Sequence, residues 1–213
     1  KKFSEKYPDR FFDVGIAEEH AVTFCGGLAK NGMVPVFAVY STFLQRSLDQ
    51  VIHDVAMQDL KVIFAIDRAG FVGEDGESHQ GVFDTSFLYS VPNFTIYCPS
   101  TFEELEHDFY RAIYKEKNAC AIRYPRGNEC DLPSDYKRED TDFQFYGDCS
   151  KDVCIVTYGR LFENCVKASN ILKNTFVLKL NKIKPIDEKC FDKLKDVKKI
   201  YFYEEAICEG GVG

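Results

Sequence analysis

Short apolar runs alternate with segments of helical period along the first 124 residues. Apolar side chains that recur every three or four residues predict an amphipathic helix, whereas a short continuous apolar run predicts a strand that is buried on both faces. These patterns predict strands at residues 11–15, 34–40, 61–66, 94–98 and 119–124. Helices are expected at residues 17–31 and 43–58, and a third should run to about residue 115 from the capping-box pattern Ser100-Thr101-Phe102-Glu103.

A second series of the same kind follows a polar stretch, residues 129–150, which is the best linker candidate. Strands are expected there at residues 152–158, 175–180 and 199–203, and helices at residues 161–174 and 187–196. Strands that alternate with helices imply parallel sheets that helices cover on both faces. The sequence therefore predicts an α/β fold with two parallel-sheet domains, at residues 1–128 and 151–213.

Polar and glycine-rich residues cluster directly after the predicted strands of the first domain. In parallel α/β sheets, ligands bind outside the carboxyl ends of the strands. Four loops should therefore meet along one edge of the first sheet and form one site. They are residues 15–19, 40–46, 67–81 and 123–127.

Composition narrows the classes of partner. The formal net charge is -7, from 27 Lys and Arg against 34 Asp and Glu residues. An acidic balance argues against nucleic acid, and the chain has no apolar run of about twenty residues that would predict a membrane span. The nine cysteines include no Cys-x-x-Cys pair. We therefore expect reduced thiols and no metal ligands in this chain.

Glu18 and Phe43 are candidates for binding a ligand. Glu18 follows a predicted strand and lies in the first turn of a helix, where the helix dipole favours an acid. An ordinary solvated acid would satisfy the same pattern, and the adjacent Glu19 competes for any special role. Phe43 and Arg46 are three residues apart and can share one helix face. A core phenylalanine beside a surface arginine remains the alternative.

The segment 67–81 carries the strongest local signal. A loop of this length is uncommon unless it is functional, and its glycines permit close approach of the backbone. Arg68 and His79 could contact an anion, and Asp75 could accept hydrogen bonds from hydroxyl groups. A flexible surface loop is the alternative. The loop is not a Walker phosphate loop, because it lacks the Gly-Lys-Ser/Thr ending.

Two arginines lie at the end of the last strand of the first domain. Arg123 belongs to the predicted strand, whereas Arg126 leaves it with the loop. Guanidinium groups bind phosphate or carboxylate with two parallel hydrogen bonds. We therefore choose Arg126 for the site, with an ordinary surface ion pair as the alternative.

Taken together, these segments resemble the 1-deoxy-D-xylulose-5-phosphate synthase family. The resemblance is dense over residues 7–128 and weaker from there to Glu204-Glu205 and Gly210-Gly211. The ordered set is more specific than any one motif. Its segments are Asp13-Val14-Gly15-Ile16-Ala17-Glu18-Glu19-His20-Ala21-Val22, Tyr40-Ser41-Thr42-Phe43-Leu44-Gln45-Arg46, Asp49-Gln50-Val51, Asp67-Arg68-Ala69-Gly70, His79-Gln80-Gly81 and Arg123-Tyr124-Pro125-Arg126-Gly127.

The resemblance implies a transferase that uses thiamine diphosphate and Mg²⁺ to join a two-carbon unit from pyruvate to glyceraldehyde 3-phosphate. Residues 1–128 would be the pyrimidine-binding domain, and residues 151–213 would be part of a transketolase-like C-terminal domain. Glu18 would bind the pyrimidine and, with His79, be catalytic, and Phe43 would stack on the pyrimidine ring. The residues expected to line the substrate pocket are Tyr40, Arg46, Arg68, Asp75, His79 and Arg126.

The sequence also departs from the family. Glu19 stands where a glutamine is common, and the Gly-Asp-Gly metal motif of the family's N-terminal domain does not occur in this chain. We therefore expect a fragment that is inactive alone and whose Mg²⁺ ligands lie in an N-terminal domain. The family resemblance further implies a homodimer, and the residue usage resembles that of apicomplexan parasites, which implies a relict plastid.

Three alternatives stay open. One is the β-type subunit of a 2-oxo acid dehydrogenase, and another is a transketolase, since both resemble this fold and use a catalytic glutamate. The third is a non-catalytic interaction domain on the same scaffold.

Overall fold

The computed structural model describes residues 2–213, and in that range the chain forms two β-sheets with helices packed against them. The strands are β1 (Val36–Tyr40), β2 (Ile63–Asp67), β3 (Thr95–Tyr97), β4 (Cys120–Arg123), β5 (Phe143–Tyr146), β6 (Val153–Tyr158), β7 (Thr175–Leu180), β8 (Lys182–Lys184) and β9 (Lys199–Tyr203). The α-helices are α1 (Lys2–Lys6), α2 (Glu18–Lys30), α3 (Ser41–Leu44), α4 (Leu48–Gln50), α5 (Asp84–Tyr89), α6 (Phe102–Tyr114) and α7 (Leu161–Leu172).

The first sheet has the strand order β1-β2-β4-β3-β8. Its first four members run parallel, and β8 pairs antiparallel with β3 at the edge. The register places Tyr40 opposite Asp67 and Ile66 opposite Arg123. The carboxyl ends of β1, β2 and β4 therefore lie side by side, where the sequence predicts the site.

The second sheet has the order β5-β7-β6-β9, with β5 antiparallel and the other pairs parallel. An antiparallel edge strand on an otherwise parallel sheet is common in α/β folds. The predicted α/β fold with two parallel-sheet units is therefore confirmed. The exact domain boundaries stay a prediction, because β8 comes from the second segment but pairs in the first sheet.

Burial explains why apolar runs mark the strands. Every residue of β4 is buried, as are all but the last of β2, and every residue of β7 is buried. Buried side chains also continue from one sheet to the other in a single apolar cluster that includes Phe64, Ile96 and Phe176. Within residues 2–213, none of the helices is long and apolar enough to cross a membrane.

A buried ion pair fastens the second sheet to α6. Lys179 of β7 is fully buried, and its Nζ atom donates to Oε1 of Glu104 on α6. The Tyr136 hydroxyl donates to the same oxygen over 2.9 Å. Because an unpaired charge at this depth would be costly, the pair requires that β7 and α6 stay together.

The strand predicted at residues 11–15 is wrong. Phe11 and Phe12 are exposed, and the segment pairs with neither sheet. A local turn forms instead, in which the Gly15 amide donates to Oδ1 of Asp13 over 2.9 Å and Gly15 has a φ of +68°. The turn chemistry of Asp and Gly wins over the strand tendency of the aromatic pair, and it directs the chain into α2.

The continuous helix predicted at residues 43–58 is also wrong, although its buried stripe is present. Leu44, Val51 and Val55 are fully buried, but the helix is divided into α3, a 3₁₀ turn, α4, a π-turn at Val51–Val55 and a final 3₁₀ turn. The Ser47 hydroxyl donates to the Leu44 carbonyl over 3.0 Å. Such back-bonding competes with the regular ladder and bends helices.

Smaller corrections concern helix ends and unpredicted elements. The α6 cap is Thr101 rather than Ser100, since the Glu104 amide donates to the Thr101 hydroxyl over 3.2 Å. The helix predicted at residues 187–196 is a 3₁₀ helix at Glu188–Leu194. The short elements α5, β5 and β8 were not predicted, and β5 lies inside the polar stretch 129–150. Each has only three to six residues, which is too few to show a period.

Candidate active site

Glu18 is the first residue of α2 and is buried, with 8% of its surface exposed. Its Oε1 atom accepts a hydrogen bond from Nη1 of Arg46 over 3.2 Å. Its Oε2 atom accepts none from any side chain or amide in residues 2–213. The neighbouring Glu19 is exposed. The two adjacent carboxyl groups therefore differ in their surroundings: at this helix N-terminus Glu18 is buried and Glu19 is in solvent.

Phe43 lies at the centre of a group of rings and charges. The Tyr40 ring stacks nearly parallel to it with centroids 5.6 Å apart, and the His79 ring meets it edge-on at 5.3 Å. The Arg46 guanidinium carbon is 4.9 Å from the Phe43 centroid. Since Arg46 also binds Glu18, these five side chains form one connected cluster. The predicted sharing of a face by Phe43 and Arg46 is confirmed by this contact.

Two arginines continue the cluster on the far side of Tyr40. The Arg68 guanidinium carbon lies 3.6 Å from the Tyr40 centroid, and Nε of Arg68 donates to Oδ2 of Asp75 over 2.9 Å. Arg126 bonds to the other Asp75 oxygen, and its Nη2 atom lies 2.8 Å from Oε2 of Glu74. One carboxylate therefore holds two guanidinium groups close together. Both guanidinium groups are thus bound by carboxylates, Arg68 also by Asp67, so a phosphate or carboxylate ligand would have to replace acidic side chains on these planar forks.

The site loop, residues 67–81, is ordered by its own backbone. Gly70 and Gly81 exchange two amide–carbonyl hydrogen bonds of 2.7 and 2.8 Å, which close the neck of the loop. Inside it, Gln80 accepts from the Val72 amide over 2.6 Å and donates to the Val72 carbonyl over 2.9 Å. Two 3₁₀ turns, Gly73–Asp75 and Glu77–His79, complete it. These hydrogen bonds make the loop compact and fix where it carries Arg68, Asp75 and His79.

The amino-acid sequence matches two protein families. Residues 1–130 match the family described as "Transketolase, pyrimidine binding domain", and residues 148–213 match "Transketolase, C-terminal domain". The chain belongs to the transketolase pyrimidine-binding domain family.

Two curated relatives of this transketolase-family chain have the same name. The chain is 47% identical, over its full length, to the 1-deoxy-D-xylulose-5-phosphate synthase of Clostridium botulinum (strain Alaska E43 / Type E3). It is 45% identical, over 99% of its length, to the synthase of Shouchella clausii (strain KSM-K16). The chain spans 35% of the length of either relative.

A solved structure described as "Split gene transketolase, inactive beta4 tetramer" has the same fold. It superposes with a TM-score of 0.85 at 24% identity and covers 99% of this chain and 70% of its own. At that identity the likeness shows the fold alone.

In this transketolase-family chain Arg123, the last residue of β4, and Arg126, in the loop beyond it, make different contacts. Arg123 is buried, and its Nε atom bonds to Oδ2 of the fully buried Asp84 over 2.8 Å. Burial alone would lower the pKa of the Arg123 guanidinium, but the Asp84 carboxylate, together with Tyr158 and Cys98, outweighs burial, and the pKa is raised. Arg126 is partly exposed beside Asp75. Arg126 is therefore the more accessible of the two arginines, and its choice as a site residue stays a prediction.

Other residues that bear on the site were missed from the sequence. Asp84 neutralises Arg123, and Arg160 and Glu205 of the second unit contact the site loop. For Glu205, the sequence offered only its position in the weaker part of the family resemblance. Asp84 and Arg160 gave no signal, because their partners lie 39 and 45 residues away in the chain.

The residues present fit the pyrimidine end of thiamine diphosphate. A buried carboxyl with one oxygen that accepts no hydrogen bond can meet a ring nitrogen, and a partly exposed Phe43 stands in the same cluster. Among residues 2–213, no group of three His, Cys, Asp or Glu side chains could hold a metal ion.

Proposed function

We propose that this chain is the part of a 1-deoxy-D-xylulose-5-phosphate synthase that carries the catalytic glutamate and binds the phosphorylated substrate. In the reaction, the bond between the carboxylate and carbonyl carbons of pyruvate breaks and CO₂ leaves. The carbonyl carbon then bonds to the aldehyde carbon of D-glyceraldehyde 3-phosphate, whose oxygen takes up a proton. The observation that carries the proposal is the unbroken cluster from buried Glu18 through Arg46, Phe43 and Tyr40 to Arg68.

Glu18 and Phe43 would hold the cofactor. Thiamine diphosphate supplies a stabilised carbanion centre when it is bound. Glu18 would share a proton with a ring nitrogen of the pyrimidine, and the largely dry surroundings of its carboxyl strengthen that hydrogen bond. The Phe43 ring would lie against the pyrimidine. Mg²⁺ belongs to the same proposal, with ligands expected in an N-terminal domain.

The remaining cluster would bind the substrates. Arg68 and Arg126 would hold the phosphate of the aldehyde, because Asp75 keeps their guanidinium groups close together and such forks can exchange a carboxylate for a phosphate. Asp75 would thereby position both arginines, besides any hydrogen bond that it accepts from a substrate hydroxyl. His79, Tyr40 and Arg46 would line the substrate pocket between the phosphate and Glu18, and His79, whose ring contacts Phe43, is the candidate for proton transfer to the aldehyde oxygen.

The reaction is tested on the full-length protein with Mg²⁺ and thiamine diphosphate. We expect product from pyruvate plus glyceraldehyde 3-phosphate and none from a ketose phosphate donor. Turnover with the ketose donor would establish a transketolase instead. Reductive acyl transfer from a 2-oxo acid to a lipoyl group would establish a dehydrogenase subunit, and failure to bind thiamine diphosphate would favour the non-catalytic domain.

Replacing Arg126 tests the phosphate site. Arg126→Ala in the full-length protein should raise the KM for glyceraldehyde 3-phosphate roughly 10–100-fold, since hydrogen bonds to charged groups contribute about 1.5–3 kcal/mol. The KM for pyruvate should change little, as measured by steady-state kinetics with each substrate varied in turn. Arg138→Ala is the control, because Arg138 pairs with the exposed Glu103 on α6. A change confined to the KM for pyruvate would refute the assignment.

Assembly and location belong to the same proposal. We propose a homodimer, which the mass of the full-length protein in analytical ultracentrifugation would test. A plastid-like organelle stays a prediction that rests on residue usage, and the bacterial relatives do not add to it. Fluorescence microscopy of the tagged full-length protein would decide the location.

A further inference from the structure

Glu205 of the second unit reaches into the first. It follows β9, and its side chain is 12% exposed. Its Oε1 atom accepts a hydrogen bond from the Phe71 amide of the site loop over 3.2 Å, across 134 residues of sequence. A carboxylate so deeply covered needs a charged partner, which the second unit also supplies.

Arg160, which directly precedes α7, is that partner. Its Nε atom donates to Oε2 of Glu205 over 2.8 Å, and its Nη2 atom bonds to Oε1. The same Nη2 atom donates to the Phe71 carbonyl over 2.6 Å. Arg160 and Glu205 therefore hold the main chain of Phe71 from both sides, one through the carbonyl group and the other through the amide.

The neck of the loop is shaped to receive this pair. Gly70 has a φ of +83°, and a Cβ atom there would lie 2.5 Å from Oε2 of Glu205. The main-chain oxygen of Glu205 accepts from Nη2 of Arg123 over 3.1 Å, and the same nitrogen donates to the Gly81 carbonyl over 3.0 Å. Both sides of the neck are thus linked to Glu205, at Phe71 directly and at Gly81 through Arg123. The folded loop therefore includes this contact.

We propose that Glu205 and Arg160 are positioning residues for the active site, and that they set the site loop in its substrate-binding shape from the second unit. The consequence for the reaction rests on the proposed function, since Phe71 lies between Arg68 and Asp75 in the loop. If the main chain at Phe71 is released, Arg68, Asp75 and His79 lose their fixed spacing. Misplacing binding groups by about 1 Å can cost around 10²-fold in rate, so a remote clamp can matter.

Hydrogen–deuterium exchange on the full-length protein tests the clamp without reference to activity. Glu205→Gln and Arg160→Gln should each make the amides of residues 70–76 exchange about 10-fold faster, as expected for loss of a charge-assisted hydrogen bond. The double variant should exchange little faster than either single one, because both changes remove the same contact. Exchange in β6 and α7 should stay as in the parent protein.

Kinetics supply the second readout. For both variants we expect the KM for glyceraldehyde 3-phosphate to rise about 3–10-fold with a smaller fall in kcat, and Arg160→Lys should recover only part of the loss because it lacks the fork. Glu163→Gln is the matched control, since Glu163 also binds a backbone amide, of Asp131, and a cation, Lys167.

The two readouts separate the ways in which the idea can fail. Unchanged exchange at residues 70–76 would overturn the clamp, whatever the enzyme does. Faster exchange throughout the second unit would overturn it as well, since the pair would then serve general stability. Faster loop exchange with unchanged kinetics in an active synthase would overturn the positioning role. Absence of synthase activity in the parent protein would refute the proposed function and leave the clamp to be decided by exchange.

Discussion

Glu18→Ala in the full-length protein is expected to lower kcat roughly 10²–10⁴-fold, the range over which a positioned acid–base group contributes to catalysis. The reason lies in its position. The Glu18 carboxyl is buried, has one oxygen bound by Arg46 and leaves the other to accept a hydrogen bond from a ligand. Among residues 2–213 no other carboxyl contacts Arg46 or Phe43, so no second carboxyl stands ready to replace that of Glu18. Steady-state turnover with saturating pyruvate and glyceraldehyde 3-phosphate measures the effect.

The chain supplies its own control for this experiment. Glu19 has the same side chain and the same helical turn, but it is exposed and makes no ion pair among the described residues. Glu19→Ala should therefore keep kcat within about twofold, as surface changes usually do. Circular dichroism should show both variants folded. Near-normal turnover of Glu18→Ala would remove Glu18 from its catalytic role, and equal losses in both variants would point to the turn rather than the carboxyl.

The position of the site could be predicted because it follows from topology. Strands β2 and β4 are apolar because both of their faces are buried, so their limits show in the sequence, and the polar residues just beyond them must share one edge. The end of β4 also separates Arg123, its last residue, from Arg126 in the loop beyond it. The family resemblance added roles for individual residues that periodicity alone could not give.

Contacts distant in sequence set the limit of such prediction. Arg160 lies 89 residues from Phe71, and no pattern of spacing links them. Local competition set a second limit. Phe11 and Phe12 have strand propensity, yet the Asp13–Gly15 turn prevails because no sheet edge pairs with them. The spacing of apolar residues predicted the buried stripe of residues 43–58. It could not predict the hydrogen bond from the Ser47 hydroxyl to the Leu44 carbonyl, which competes with the regular helix.

Arg123→Ala is expected to cost about 3–5 kcal/mol of unfolding free energy, the usual loss when one partner of a buried ion pair is removed. Asp84 has no exposed surface, and without Arg123 its carboxyl group would lose its charged partner in the core. The same change frees the carbonyl groups of Gly81 and Glu205, which Arg123 binds. Urea denaturation of the full-length protein, with the slope compared between variants, measures the loss.

Two further variants identify the cause of the stability loss in Arg123→Ala. Arg123→Met combined with Asp84→Leu removes both charges, and it should recover part of the stability because apolar replacements of a buried pair are often tolerated. Lys198→Ala breaks the solvent-exposed pair with Asp152 and should cost less than about 1 kcal/mol. If Arg123→Ala were no more harmful than Lys198→Ala, the guanidinium would not neutralise Asp84 in the folded protein. Arg123 would then have to be reconsidered as a ligand-binding residue beside Arg126.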